Sequence, residues 1–127
     1  MSDDEKKILV VEDNLNGRMA LVKFLQMNEY QCDEAEDGWK GIEKIRNTPY
    51  DLILLDIMLP YYDGFTILEM MQEENITVPV IVTSALDGKE HIQRAKDLGA
   101  RDYFVKPLQF ITVQKRISEI LDNPTNS

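Results

Sequence analysis

Cysteine occurs once in the 127 residues, at Cys32. An intramolecular disulfide and a cysteine-rich zinc site are therefore excluded, and a lone thiol fits a reducing cytoplasm. Basic charge is also scarce: 14 Lys and Arg stand against 23 Asp and Glu, a net charge of −9. Direct nucleic-acid binding needs the reverse balance, because phosphate backbones are held by Lys and Arg. An anionic membrane surface is disfavoured for the same reason. No run of about 18 apolar residues occurs, so no membrane-spanning helix is expected. The charged residues 1–7 have no apolar segment behind them long enough for a secretory signal. The expected location is the cytoplasm. Internal repeats and low-complexity stretches are missing too.

What is there suits one folded unit. The apolar fraction is 43%, close to the globular norm. The length fits one domain of about 100–150 residues. The core is expected over about 7–121, with 122–127 a frayed tail or the start of a linker. Three short aliphatic runs dominate: Ile8-Leu9-Val10-Val11, Leu52-Ile53-Leu54-Leu55 and Val78-Pro79-Val80-Ile81-Val82. They read as strands covered on both faces of a parallel sheet. Residues 30–35 and 103–105 are weaker or shorter and suit edge strands.

Helical spacing fills the gaps. Leu15, Met19, Val22 and Leu25 recur every three or four residues before Asn28. Trp39, Ile42 and Ile45 do so before Asn47-Thr48-Pro49. Phe65, Leu68 and Met71 follow Gly64; Ile92, Ala95 and Leu98 lead to Gly99; Phe110, Val113, Ile117, Ile120 and Leu121 form the last stripe. The Met and aromatic positions in these stripes are expected to be core packing. Strand and helix alternate five times. The expected fold is a doubly wound (βα)5 α/β three-layer sandwich with a parallel five-stranded sheet and right-handed crossovers.

In such sheets ligand chemistry gathers beyond the carboxyl ends of the strands. Glu12-Asp13 ends the first run, Asp56 the second, Thr83-Ser84 the third and Lys106-Pro107 the fifth. Three carboxylates converging on one sheet edge need compensation. A hard divalent cation supplies it, and carboxylates plus water are magnesium's preferred shell. With a lysine and a hydroxyl added, the edge suits a phosphoryl group. Simpler roles compete residue by residue: Asp13 or Asn14 could cap a helix, and Asp63-Gly64 reads as a turn.

Val11-Glu12-Asp13-Asn14, Asp56-Ile57-Met58-Leu59-Pro60 with Asp63-Gly64, Val82-Thr83-Ser84-Ala85 and Tyr103-Phe104-Val105-Lys106-Pro107 together resemble the receiver domain of bacterial two-component response regulators. The likeness runs from about residue 7 to 121 and is to the single-domain, chemotaxis-regulator-like type. The resemblance implies a flavodoxin-like sheet in order 2-1-3-4-5. It implies that Asp56 accepts a phosphoryl group from a phosphohistidine on a sensor histidine kinase or a histidine phosphotransfer protein. Asp13, Asp56 and the backbone carbonyl of Met58 would ligate magnesium, or manganese in its place, with Glu12 acting through water. Thr83 and Lys106 would each contact a phosphoryl oxygen, and Tyr103 would be the switch aromatic. Lys106-Pro107 is a candidate cis peptide. The implied output is the surface of the fourth helix, fifth strand and fifth helix, read by a downstream protein target or used in a phosphorylation-dependent dimer.

Departures are small: Leu59 where Met is frequent, and Ser84 where Ala is common. Tyr61 and Tyr62 follow Asp56 as screening or solvent-facing loop residues. His91 reads as a surface or helix-start histidine and Cys32 as a small buried hydrophobe. A haloacid-dehalogenase-type phosphatase would want an acid where Met58 stands. A flavodoxin-like cofactor binder would want a Ser, Thr and Gly-rich loop in place of Glu12-Asp13-Asn14. The chain is expected to be a stand-alone receiver, with an N-terminal fragment of a longer regulator, or a docking module that takes no phosphate, as alternatives.

Overall fold

Residues 8–11, 52–55 and 80–82 offer no polar side, so they fit only where helices cover a sheet on both faces. The computed structural model describes residues 5–122, so the tail at 123–127 lies outside the described residues. The order is β1 (Lys7–Val11), α1 (Leu15–Met27), β2 (Gln31–Ala35), α2 (Gly38–Asn47), β3 (Leu52–Leu55), α3 (Gly64–Glu73), β4 (Val80–Ser84), α4 (Lys89–Asp97), β5 (Asp102–Val105) and α5 (Phe110–Asp122). All neighbouring strands pair in parallel, in the order β2-β1-β3-β4-β5. The weaker strands β2 and β5 are the two edges, as their patterns suggested.

Side chains alternate along each strand and divide the core in two. Leu9, Val11, Ile53, Leu55, Val80, Val82 and Tyr103 pack with α2, α3 and α4. Ile8, Val10, Leu52, Leu54 and Ile81 pack with α1 and α5, with Phe104 against them. The helices are not equally anchored. Six residues of α3 are buried, including Phe65, Ile67, Leu68, Met70 and Met71. Only Ala95 is buried in α4, and its first residue follows Gly88 with no side-chain cap.

Three expectations need correction. Leu15 and Met19 are 56% and 57% exposed, and α1 packs through Leu21, Val22 and Leu25. Leu15 lies in the first turn, ahead of the buried residues, and Met19 lies off the face that Leu21, Val22 and Leu25 share. Trp39 is 58% exposed, because α2 packs through Gly38, Gly41, Ile42 and Ile45. β4 starts two residues later than the apolar run, at Val80 and not Val78, and carries Thr83 and Ser84 inside it. Pro79 has no N–H for the ladder; its carbonyl still accepts from the Ile53 N–H at 3.0 Å.

Candidate functional site

A period of two explains the convergence at the sheet's carboxyl edge. Val10, Leu54, Ile81 and Phe104 all face α1 and α5. Two residues further on each strand come Glu12, Asp56, Thr83 and Lys106. The register supports this, since Val11 pairs with Leu55 and Leu55 with Val82. The ladder runs one step past the strands: Glu12 N–H donates to the Ala35 carbonyl and Asp56 N–H to the Val11 carbonyl, each at 3.0 Å. Glu12, Asp56 and Thr83 are all buried.

The carboxylates are held by short local bonds and one long-range cation. Asp56 Oδ1 accepts from the Met58 N–H at 3.2 Å, and Glu12 Oε2 from the Asn14 N–H at 3.1 Å. Lys106 Nζ donates to Asp56 Oδ2 at 2.9 Å and also to Glu12 Oε1. Burial pulls the Lys106 ammonium's pKa down, but its hydrogen bonds to Glu12 and Asp56 outweigh that and raise it. Lys106 therefore stays charged. Asp13 stands exposed beside them, and oxygens of Glu12, Asp13 and Asp56 lie within 4.8 Å of one another. Three carboxylates and one ammonium leave a negative excess. That donor set, oxygen-only with one member open to water, fits a hard divalent cation.

Backbone bracing fixes Asp56. A Cβ on Gly64 would meet the Asp56 carbonyl oxygen at 2.5 Å and Ile57 Cα at 2.8 Å. Only glycine lets the start of α3 come so close to the chain after β3. Gly64 N–H donates to the Ile57 carbonyl at 2.8 Å, and Asp63 caps α3 by accepting from the Thr66 N–H at 2.8 Å. Asp63 is therefore structural, as expected, but as the N-cap of α3 and not as part of a turn. Asn14, not Asp13, caps α1, taking the Gly17 N–H at 2.8 Å.

Tyr103 sits on the opposite face of the sheet. It is buried, and its hydroxyl donates to the Leu86 carbonyl at 2.6 Å. Burial raises its phenol pKa; a hydrogen bond with Ser84 works against that, and the charges of Asp56 and Asp87 add to it. Ser84 Oγ accepts from the Leu86 N–H at 3.2 Å, so the two side chains tie down the loop before α4. Lys106-Pro107 is cis. His91 lies in the first turn of α4, partly exposed and stacked on Phe65 at 6.3 Å. Tyr61 and Tyr62 are exposed. Cys32 is half-buried; burial first, then Asp33 and Glu34, pushes its thiol up to about 12.

One supporting residue escaped the sequence reading. Arg18 donates to the Glu12 carbonyl at 2.8 Å and pairs with Glu34 at 2.9 Å, pinning the loop that carries two of the acids. Its one legible signal is its place on the first turn after the Asn14 cap.

Residues 8–118 match the response regulator receiver domain family. IrlR, a transcriptional activator protein of Burkholderia pseudomallei, is 39% identical over 115 residues, covering 91% of this chain and 50% of that protein. The transcriptional regulatory protein CusR of Escherichia coli is 36% identical over 115 residues, covering 91% of this chain and 51% of its own length. Among solved structures, the Francisella response regulator 1452 receiver domain superposes with a TM-score of 0.91 at 29% identity, over 94% of this chain and 99% of that one. This chain belongs to the response regulator receiver domain family and is a signalling module. It spans about half the length of the curated relatives it matches. Among the described residues no helix is long and apolar enough to cross a membrane.

Proposed function

We propose that the domain is a phosphorylatable switch whose acceptor is Asp56. One observation carries the reading: a buried carboxylate at a strand end, backed by Lys106 and flanked by Glu12 and Asp13. An Asp56 carboxylate oxygen attacks phosphorus, and the phosphorus–nitrogen bond of a phosphohistidine breaks. The imidazole leaves with the electron pair and regains a proton from solvent when it needs one. The product is an acyl phosphate, which water can hydrolyse to reset the switch, so the domain assists both its own phosphorylation and its dephosphorylation.

Asp13, Asp56 and the Met58 carbonyl would hold magnesium, or manganese, with Glu12 acting through a water. Bound there, the ion offsets charge on the phosphoryl oxygens. Lys106 releases Asp56 Oδ2 and pairs with a phosphoryl oxygen. Thr83 donates to another, and Tyr103 holds the β4–α4 loop in its new position. The added charge of about −2 biases an equilibrium between two existing conformations. The surface of α4, β5 and α5 carries the result to a downstream protein, or to a second copy of the domain. The donor is a sensor histidine kinase or a histidine phosphotransfer protein in the cytoplasm. The domain spans residues 1–127, with its core at about 7–121. It acts alone or as the N-terminal part of a longer regulator, the arrangement favoured by its covering half of its relatives.

The test is intact mass after incubation with magnesium and acetyl phosphate. One added phosphoryl group is expected, absent without magnesium and absent in Asp56→Asn. Beryllofluoride, a stable mimic, covers rapid hydrolysis. Failure of both ligands would leave a docking module that takes no phosphate.

A further inference from the structure

A second built feature lies on the other side of the β3–α3 loop. Trp39 at the start of α2 and Tyr61 and Tyr62 in the loop line a groove of about 680 Å³ with Glu36, Asp37 and Lys40. Its aromatic walls are open: Trp39 is 58%, Tyr61 81% and Tyr62 40% exposed. Three large aromatic side chains thus share one exposed surface. The patch is not a floppy one. Gly38 N–H donates to the Pro60 carbonyl at 3.0 Å, and Tyr62 N–H returns to the same carbonyl at 2.9 Å. A Cβ on Gly38 would sit 1.9 Å from the Tyr62 carbonyl oxygen, so α2 and the loop meet backbone to backbone. Tyr61 holds a φ of +73°, a conformation unusual for a tyrosine, and presents its ring outward.

Charge selects the occupant. The acids on the groove are Glu36 and Asp37, and Lys40 is already paired with Glu36 at 2.9 Å. Asp37 spends one oxygen as the α2 cap, accepting from the Lys40 N–H at 2.7 Å. The rest of the chain adds a strongly negative background, −9 in all. Aromatic faces and carboxylates together favour a cation with a flat apolar surface, and the arginine guanidinium suits both. We infer that this groove docks an arginine-bearing segment of a partner protein. The guanidinium stacks on Trp39 or Tyr61 and takes Glu36 from Lys40. None of the groove residues belongs to the acidic site, so this docking does not require the Asp56 carboxylate.

The probe is a short acetylated and amidated peptide with two arginines, titrated into the full chain by calorimetry. Trp39 is the sole tryptophan, so its fluorescence is a second readout located in the groove. Saturable binding is expected, with a change in Trp39 emission. Tyr61→Ala should weaken it about two- to fivefold, as should Trp39→Ala read by heat alone. Glu36→Gln should weaken it too. The same peptide with glutamates should not bind, and Asp56→Asn should bind as the wild type does. No binding by the wild type, or binding unchanged in both Tyr61→Ala and Trp39→Ala, overturns the inference. So does a dimer in sedimentation that Tyr61→Ala dissolves, since a second copy would then be the occupant. Tyr61 and Trp39 are exposed, and unchanged melting curves would confirm that their variants fold.

Discussion

Neutralising one acid of the site should stabilise the metal-free protein. Asp13 is the right choice, because it is exposed and makes no hydrogen bond or ion pair among the described residues, whereas Asp56 and Glu12 are tied to Lys106. Its oxygen lies within 4.8 Å of oxygens of both Glu12 and Asp56. Unit charges at that separation repel by about 3.5 kcal/mol at an effective dielectric of about 20, and by about 0.9 kcal/mol in bulk water. Exposure and the nearby ammonium reduce the sum, so Asp13→Asn should gain about 1–2 kcal/mol. For a domain of this size that is a rise in Tm of roughly 3–8 °C. The assay is thermal unfolding in chelator and again in millimolar magnesium. Magnesium should raise the wild-type Tm by mass action and raise that of Asp13→Asn much less, so the order of the two proteins narrows or reverses. If Asp13→Asn melts at or below the wild type in chelator, the repulsion argument is wrong.

Other outcomes follow from the same geometry. Lys106→Ala leaves Glu12 and Asp56 buried without their cation; since Lys106 is 28% exposed, the cost should be about 1–3 kcal/mol in urea unfolding without metal. Its magnesium affinity should hold or rise, since a competing cation is gone, while that of Asp13→Ala falls, by calorimetry; a fall in Lys106→Ala equal to that of Asp13→Ala would contradict the separation of switch from metal. Tyr50 and Tyr103 both have raised phenol pKa values, Tyr50 from burial and then its 2.7 Å hydrogen bond to Asp33, Tyr103 from burial foremost. A raised folded pKa stabilises below the unfolded value, so stability should be intact up to about pH 10 and fall above it as the unfolded chain ionises first. Denaturant midpoints that stay flat from pH 9 to 11 would refute this. With its thiol near 12, Cys32 should react with a disulfide reagent at pH 8 at least about a hundredfold more slowly in the native protein than in denaturant.

The strands and the acidic site were legible because both follow from a period of two. An aliphatic run that ends in a chemically useful residue announces its own destination, and Val10 with Glu12, or Leu54 with Asp56, can be read by eye. Helix phase was less legible. Leu15 and Met19 fit a stripe with Val22 and Leu25, yet the buried face is centred on Leu21, Val22 and Leu25, which leaves Met19 to one side and Leu15 a turn ahead. Trp39 reads as core because it is the largest apolar side chain of α2, while the buried face is built of Gly38, Gly41, Ile42 and Ile45. The specific pairings between residues distant in sequence were not legible. Nothing in residue order says that Lys106 bridges Glu12 and Asp56, that Arg18 braces the Glu12 carbonyl, or that Gly38 is pressed against Tyr62.

The uneven anchoring of the helices bears on how sensitive the domain can be. A ligand can shift an equilibrium only by the difference in its affinity for the two states. A helix seated by six buried residues, as α3 is, would resist a modification of a few kcal/mol. The thin seat of α4 sets a lower threshold, and it lies directly after the strand that carries Thr83 and Ser84. Hydrogen exchange should therefore find α4 opening at lower free energy than α3. Asp56 sits beside the well-seated α3, and the proposed output surface includes the thinly seated α4, so a small chemical input at Asp56 need not deform the framework that holds it.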